Sequence, residues 1–323
     1  MKQIAIITGG NSSEYEISID SANTVFNNLD KNIYNPLIIN IQNDSWTAKI
    51  EGEIIDVNKE NFSIIINSEE RIFDYVFMAL HGDPAENGNI QEYFDNLKIP
   101  YSSCDSKISS LTFNKYECNR RLINLGFNCA KSLILDKNEE YDIKEILDNL
   151  KLPLFIKPNQ SGSSLGISKV SHEKDIVNAM QYAFSHDTSI IIEEFINGNE
   201  FSCGVMNNRS KATALPVTEI ISHNEFFDFE AKYKGLSEEI TPARINKELY
   251  QKIQKTSEDI FRKMNLRGVC RIDFIVKEYE LFIIEINTIP GLSEESIIPK
   301  QVAEYKMSLI DFFSSWIEGT LNK

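Results

Sequence analysis

Two apolar runs near the C-terminus, CRIDFIV and LFIIEIN, flank the polar turn KEYE and carry Arg271, Asp273, Glu285 and Asn287 at alternate positions. The pattern predicts a β-hairpin. Side chains alternate along a strand, so Arg271 and Asp273 share a face with Ile275, and Glu285 and Asn287 share one with Ile283. A register in which Lys277 faces Leu281 sets Asp273 opposite Glu285. Opposed carboxylates repel and lose hydration among isoleucines and phenylalanines. A cation between them would turn that repulsion into attraction, and Asn287 adds a neutral oxygen. Magnesium, which keeps waters and completes its shell with substrate phosphates, suits such a set. The plainer alternative is a register slipped by one residue, with the acids on opposite faces.

Other loops carry weaker signals. KPNQSGSSLG, starting at Lys157, follows the apolar strand LPLFI. Gly162 and Gly166 permit tight folding, Ser163 and Ser164 add hydroxyls, and backbone N–H groups of such a loop can wrap phosphates. It lacks the Gly-Lys-Ser/Thr ending of a Walker loop, and GGNSSE after the first strand lacks the glycine spacing of a dinucleotide site. In IIIEEFINGNE, Glu193 could accept from an adenine amino group, Phe195 and Ile196 could form an apolar slot, and Glu200 could hold ribose. Alone, that stretch is as readily a solvated strand end, with Glu194 among its acids. His81, in HGDPAENG, follows a strand end where α/β folds place ligands, and could donate to a carbonyl or anionic oxygen. Glu14 starts a helix, where an acid also simply complements the dipole. EAKY, with Lys232 and Tyr233, reads as a lid or an exposed loop.

The elements that must position these groups follow from periodicity. Strands are expected near 2–8, 34–41 and 73–80, with helices near 14–29 and 89–97, an alternation that predicts a parallel α/β unit. Beyond YSSCDS come a helix near 109–125, a strand near 153–158, a helix near 173–185 and a strand near 189–196. The last third reads as strands 200–206, 212–220, 269–276 and 281–287, with helices near 246–264 and 300–317. At 323 residues the chain can hold more than one domain. Its net charge of −15 disfavours nucleic acid and anionic membrane as partners. No run approaches the length of a membrane-spanning helix. The five cysteines are scattered without a Cys-x-x-Cys pair, which points to unpaired core thiols and a reducing cytoplasm.

In series, GGNSSEYEIS, LHGDPAENG, FNKYECNRRL, FIKPNQSGSSLGISKV, IIEEFINGNEF, FDFEAKY, RIDFIV and IEINTIPGLSEESIIP resemble the D-alanine–D-alanine ligases of the ATP-grasp superfamily over essentially the whole chain. The resemblance implies an α/β (α+β) fold of three domains: a Rossmann-like N-terminal unit at 1–102, a central ATP-grasp unit at 103–193 and a C-terminal metal-binding unit at 194–323. It implies ATP as co-substrate, with Lys115, Lys157 and Ser164 at the phosphates and Glu193, Glu194, Phe195, Ile196 and Glu200 around adenine and ribose. Asp273, Glu285 and Asn287 would hold two Mg2+ or Mn2+ ions. Glu14, oriented by Ser163 and Tyr233, would anchor the ammonium of the first D-alanine. Ser296, with His81 nearby, would hold the carboxylate of the second. Lys232 and Arg271 would bear charge developed in transfer. Implied too are a cytoplasmic homodimer and a role in peptidoglycan synthesis. Ala85, Glu194, Phe227 and Phe229 depart from the family's common residues. A ligase with another acceptor, such as D-serine, and a non-catalytic nucleotide binder on the same fold are the alternatives.

Overall fold

A computed structural model describes residues 1–162, 165–208, 211–222 and 237–321. Ser163, Ser164, Phe227, Phe229, Lys232 and Tyr233 lie outside these residues. The chain opens with β1 (Lys2–Gly9), α1 (Tyr15–Asn28), β2 (Tyr34–Gln42), β3 (Ser45–Ile50), β4 (Glu53–Asp56), β5 (Ser63–Ile66), β6 (Glu69–Ile72), β7 (Tyr75–Met78) and α2 (Asn89–Leu97). β1 lies between β2 and β7, parallel to both, as the alternation predicts. Ile4, Ala5, Ile6 and Ile7 are all fully buried, which explains the unbroken apolar run: both faces of a central parallel strand are covered. β3 and β4 extend this sheet in antiparallel fashion, while β5 and β6 form a separate hairpin. Neither hairpin was expected from the sequence. Their turns, Glu51–Gly52 and Asn67–Ser68, take positive φ at both central residues, the geometry of tight hairpins, without the usual Asn-Gly signal.

Next come α3 (Ser106–Phe113), α4 (Lys115–Asn124), β8 (Asn128–Cys129), β9 (Ser132–Asp136), α5 (Ile143–Asn149), β10 (Leu154–Pro158), β11 (Ser168–Val170), α6 (Ile176–Phe184) and β12 (Ser189–Glu194). The single helix expected at 109–125 is two. Asn114 is extended and its side chain accepts from the Glu117 N–H at 3.0 Å, so it caps α4 and breaks the run. β11, β10, β12 and β9 make an antiparallel sheet in that order. The expected unit 103–193 is shared between two sheets: Cys104, Cys118 and Leu122 pack into the core of the C-terminal sheet, and β8 pairs with one of its strands.

The remainder is β13 (Asn199–Asn208), β14 (Lys211–Ser222), β15 (Ser237–Ile240), α7 (Lys247–Lys263), β16 (Val269–Lys277), β17 (Glu280–Asn287), α8 (Ile297–Glu304) and α9 (Leu309–Leu321). The sheet order is β15-β14-β13-β16-β17-β8, antiparallel except for the last pair. The helix expected at 300–317 is also two, separated by Lys306 at φ 62. α9 returns to the N-terminal unit, where Phe312, Phe313, Trp316 and Ile317 join Ile4, Ile6, Tyr75 and Phe77 in one core. The five cysteines are unpaired, and only Cys129 is not fully buried. Among the described residues no helix is long and apolar enough to cross a membrane.

Candidate active site

The β16–β17 hairpin sets Asp273 opposite Glu285, but by a route the sequence did not suggest. The turn is tighter than expected: Lys277 pairs with Glu280, not Leu281, across Glu278 and Tyr279, both at positive φ. Continued unbroken, that register would set Asp273 against Ile284 and turn Glu285 towards the core. A bulge at Ile284 absorbs the extra residue and restores the pairing. Ile283 therefore joins the core with Leu281 and Ile286, and does not share a face with Glu285 as the simple alternation implies.

The cation that relieves the opposed acids in this structure is Arg271. Its Nε lies 3.0 Å and its Nη2 2.7 Å from the two Asp273 oxygens, and the Nη2 is 3.7 Å from Glu285. Asp273, only 4% exposed, also accepts from the Ser202 hydroxyl at 2.6 Å. The Asn287 side-chain oxygen accepts from the Ile289 N–H at 3.1 Å. Among the described residues no group of three or more His, Cys, Asp or Glu side chains is arranged to hold a metal. The expected donor set is instead two carboxylates and an amide. As hard oxygen donors on adjacent strands they suit magnesium or manganese, and Glu285 and Asn287 open onto the cavity below.

That cavity, about 360 Å³, gathers residues from around the three larger sheets. Glu14, His81, Lys115, Lys157, Arg271, Glu285, Asn287 and Ser296 all line it, although they are scattered over most of the sequence. Lys115 is the first residue of α4, where a cation opposes the helix dipole, and its ammonium donates to the Ser161 carbonyl. Burial lowers its pKa, with Glu285 pulling the other way. Lys157 sits 2.6 Å from Glu193 in a pair that is almost fully buried. Asn119 donates to the other Glu193 oxygen at 2.9 Å.

His81 is buried and joins three segments. Its Nδ1 lies 3.0 Å from the Ile289 carbonyl, which can only accept, so the proton belongs on Nδ1. Nε2 then accepts from the Ser21 hydroxyl at 3.0 Å, and Ser21 in turn accepts from the Leu292 N–H. Burial lowers the histidine's pKa, consistent with a neutral ring. The imidazole thus fixes the 289–292 loop against α1, the loop that leads into Ser296. Ser296 occupies the N-cap position of α8 without capping it; its hydroxyl pairs with Ser293 at 2.7 Å. The first N–H groups of α8 are left to an external acceptor, an arrangement suited to a carboxylate.

The nucleotide-base candidates Glu193, Glu194, Phe195, Ile196 and Glu200 do not line this cavity. They follow one another from the end of β12 to the start of β13, linked to the cavity through the Glu193–Lys157 pair. Glu194 accepts from the Lys131 N–H at 2.8 Å, and Phe195 packs on Phe155 with the Lys169 ammonium 4.5 Å from its ring. Three cavity acids were missed in the sequence, Asp20, Glu86 and Glu239. Glu86 stands in HGDPAENG, beside the histidine that attracted notice, and the position of that loop after β7 was its available signal. Glu239 follows the undescribed segment and meets Lys300 of α8 at 3.3 Å.

A family profile described as D-ala D-ala ligase N-terminus matches residues 3–104, and one described as D-ala D-ala ligase C-terminus matches residues 123–318. The D-alanine–D-alanine ligase of Flavobacterium johnsoniae is 44% identical over 322 residues, 99% of this chain and 100% of that one. That of Christiangramia forsetii is 45% identical over 323 residues, covering 100% and 99%. Among solved structures, the VanG D-Ala:D-Ser ligase from Enterococcus faecalis matches with a TM-score of 0.89 at 32% identity, over 99% of both chains. The D-alanine–D-alanine ligase from Bacillus anthracis complexed with ATP matches at 0.81 and 25%, over 99% of this chain and 98% of that one. With two profiles spanning most of its length and relatives this similar, the chain belongs to the D-alanine–D-alanine ligase family and has its ATP-grasp fold.

Proposed function

We propose that the protein joins two D-alanines into D-alanyl-D-alanine, converting ATP to ADP and phosphate through a D-alanyl phosphate, and so supplies peptidoglycan synthesis. The observation that carries this reading is the convergence of Lys115, Lys157 and Arg271 with Glu14 and with the uncapped start of α8 in one cavity. ATP and a carboxylate are both anionic, so cations must screen them before an oxygen of one can attack the other. In this reading Lys115 and Lys157 meet the phosphates. The D-alanine carboxylate attacks the γ-phosphorus, a C–O–P bridge forms and ADP leaves. The amine of the second D-alanine then attacks the acyl carbon, phosphate departs with the original carboxylate oxygen, and the amine loses a proton.

Glu14 anchors the first ammonium. Ser296 and the first amides of α8 hold the second carboxylate, in a loop steadied by His81. Arg271 is freed from Asp273 to meet the developing oxyanion. Asp273, Glu285 and Asn287 are the residues that would hold two Mg2+ or Mn2+ ions, which supply charge neutralisation when bound. By the family resemblance, Ser163, Ser164, Lys232 and Tyr233 complete the phosphate and substrate contacts, and their loops exclude the water that would hydrolyse an acyl phosphate. Glu193, Glu194, Phe195, Ile196 and Glu200 are assigned to adenine and ribose. The division at 102 and 193, a homodimer and a cytoplasmic location belong to the same reading, and the −15 charge supports excluding nucleic acid and membrane.

A D-serine acceptor is the second reading, favoured by the 0.89 match to a D-Ala:D-Ser ligase. ADP release measured with ATP, Mg2+ and D-alanine alone, then with D-serine or D-lactate added, separates the two when product masses are read. D-alanyl-D-alanine from D-alanine alone is the expected product. ADP release only with D-serine present, with a mixed dipeptide, would transfer the assignment.

A further inference from the structure

Lys300 lies one turn into α8, and no step above uses it. It follows Ser296 by four residues and so shares a face of the helix with the start that receives the second carboxylate. Its neighbour Gln301 fixes the rotation of that helix. The Gln301 side chain is fully buried, and its amide nitrogen donates to the Ser202 carbonyl and the Thr218 hydroxyl, each at 3.0 Å. Its oxygen accepts from the Gly204 N–H at 2.9 Å. Only glycine permits so close an approach, since a Cβ at position 204 would meet the Gln301 oxygen at 2.6 Å. With Gln301 clamped to β13 and β14, Lys300 reaches towards β15.

There its ammonium meets Glu239 at 3.3 Å and Glu295 at 3.5 Å. Both acids line the cavity together with Ser293 and Ser296. Glu239 is the more sheltered of the two, its side chain 19% exposed against 93% for Glu295, so water screens its charge less. An acceptor carboxylate would thus bind beside two acids that repel it. A cation within reach of both removes most of that repulsion. We propose that Lys300 is a specificity-determining residue of the acceptor site: by neutralising Glu239, with Glu295 at the rim, it lets a carboxylate-bearing acceptor settle on Ser296 and the first amides of α8. The proposal rests on the acceptor role given above to Ser296 and α8. Lys300 acts through the two acids and touches no reacting atom.

Initial rates against D-alanine concentration, fitted to two successive substrate sites, test this in Lys300→Met, in Lys300→Arg and in Lys300→Met combined with Glu239→Gln. The Lys300 side chain is 34% exposed and methionine keeps most of its apolar length, so the variants are expected to fold. Lys300→Met is expected to raise the second-site KM about fivefold or more, with the first-site KM and the KM for ATP within about twofold. Lys300→Arg keeps the charge and is expected to stay close to wild type. Adding Glu239→Gln to Lys300→Met removes the uncompensated acid and is expected to recover most of the loss. A lysine that merely braced the helix would show no such rescue. A second-site KM unchanged in Lys300→Met, a loss that Glu239→Gln does not relieve, or a parallel rise for ATP would overturn the proposal. Should the wild type use D-serine as acceptor, the same comparison applies to that carboxylate and only the substrate assignment fails. Should it turn over neither, calorimetric titration of D-alanine decides. Weaker binding at one of two sites in Lys300→Met, restored in the double variant, supports the proposal, and equal binding overturns it. A wild type that binds no D-alanine overturns the reading of the acceptor site and the proposal with it.

Discussion

Glu86 costs the ligand-free protein stability, and the sign of that cost can be worked out. Its folded pKa, about 8, lies above the ordinary carboxylate value. Between the two the folded state holds a proton that the unfolded state has released, so stability falls as pH rises through that window. Glu86→Gln removes the dependence. Its melting temperature is expected to exceed that of the wild type by a margin that grows from pH 5 to pH 8 and then levels off. Scanning calorimetry at several pH values checks this; a margin that shrinks with pH would contradict it. That Asp273 and Glu285 face each other was legible in the sequence, although strict alternation does not hold between them and the turn: the bulge at Ile284 restores the pairing. The setting of Glu86 was not legible, because a lone acid in a polar loop gains meaning only when Glu14 and Gly162 arrive beside it from distant segments. The engagement of Glu193 by Lys157 and Asn119 was hidden for the same reason.

At the scale of elements, small interruptions aim the site. The break at Asn114 makes Lys115 the first residue of α4 and directs it into the cavity. Asn114→Ala removes the cap and is expected to cost about 1 kcal/mol in urea unfolding, while raising the KM for ATP several-fold because Lys115 loses its fixed start. A loss of stability with no change in that KM would separate the cap from the site. The signal for the break was present, since Asn precedes Glu by three residues, but a continuous apolar period outweighed it. The β16–β17 hairpin was predicted with the right opposed acids and the wrong turn. A two-residue turn with positive φ at Glu278 and Tyr279 has no glycine to announce it, and a bulge leaves no mark on composition. The two N-terminal hairpins escaped for a related reason: β4, β5 and β6 are four residues each, too short to show a period.

At the scale of the whole molecule, the ends of the chain depend on one another. α9 completes the core against β1 and β7, and the Trp316 indole N–H donates to the Ser102 carbonyl at 2.7 Å. Trp316→Ala is expected to cost about 3–5 kcal/mol in unfolding followed by far-UV circular dichroism. Trp316→Phe, which keeps most of the packing, is expected to cost about 1 kcal/mol for the lost hydrogen bond. Equal costs would show that packing there is of little account. The parallel N-terminal unit and the strand-rich last third were legible from periodicity. The return of α9 to the first sheet was not, because an amphipathic helix does not name the surface it covers. Nor does the sequence show that the functional stretches, far apart along it, enclose a single cavity.

The central claim is that this cavity activates a carboxylate by phosphorylation before an amine displaces the phosphate. D-alanine labelled with oxygen-18 in both carboxylate oxygens tests it directly. After turnover with unlabelled ATP, mass spectrometry of the inorganic phosphate is expected to find one labelled oxygen per molecule, carried over when the acyl–oxygen bond breaks. Phosphate released without label, alongside dipeptide, would contradict the acyl phosphate route.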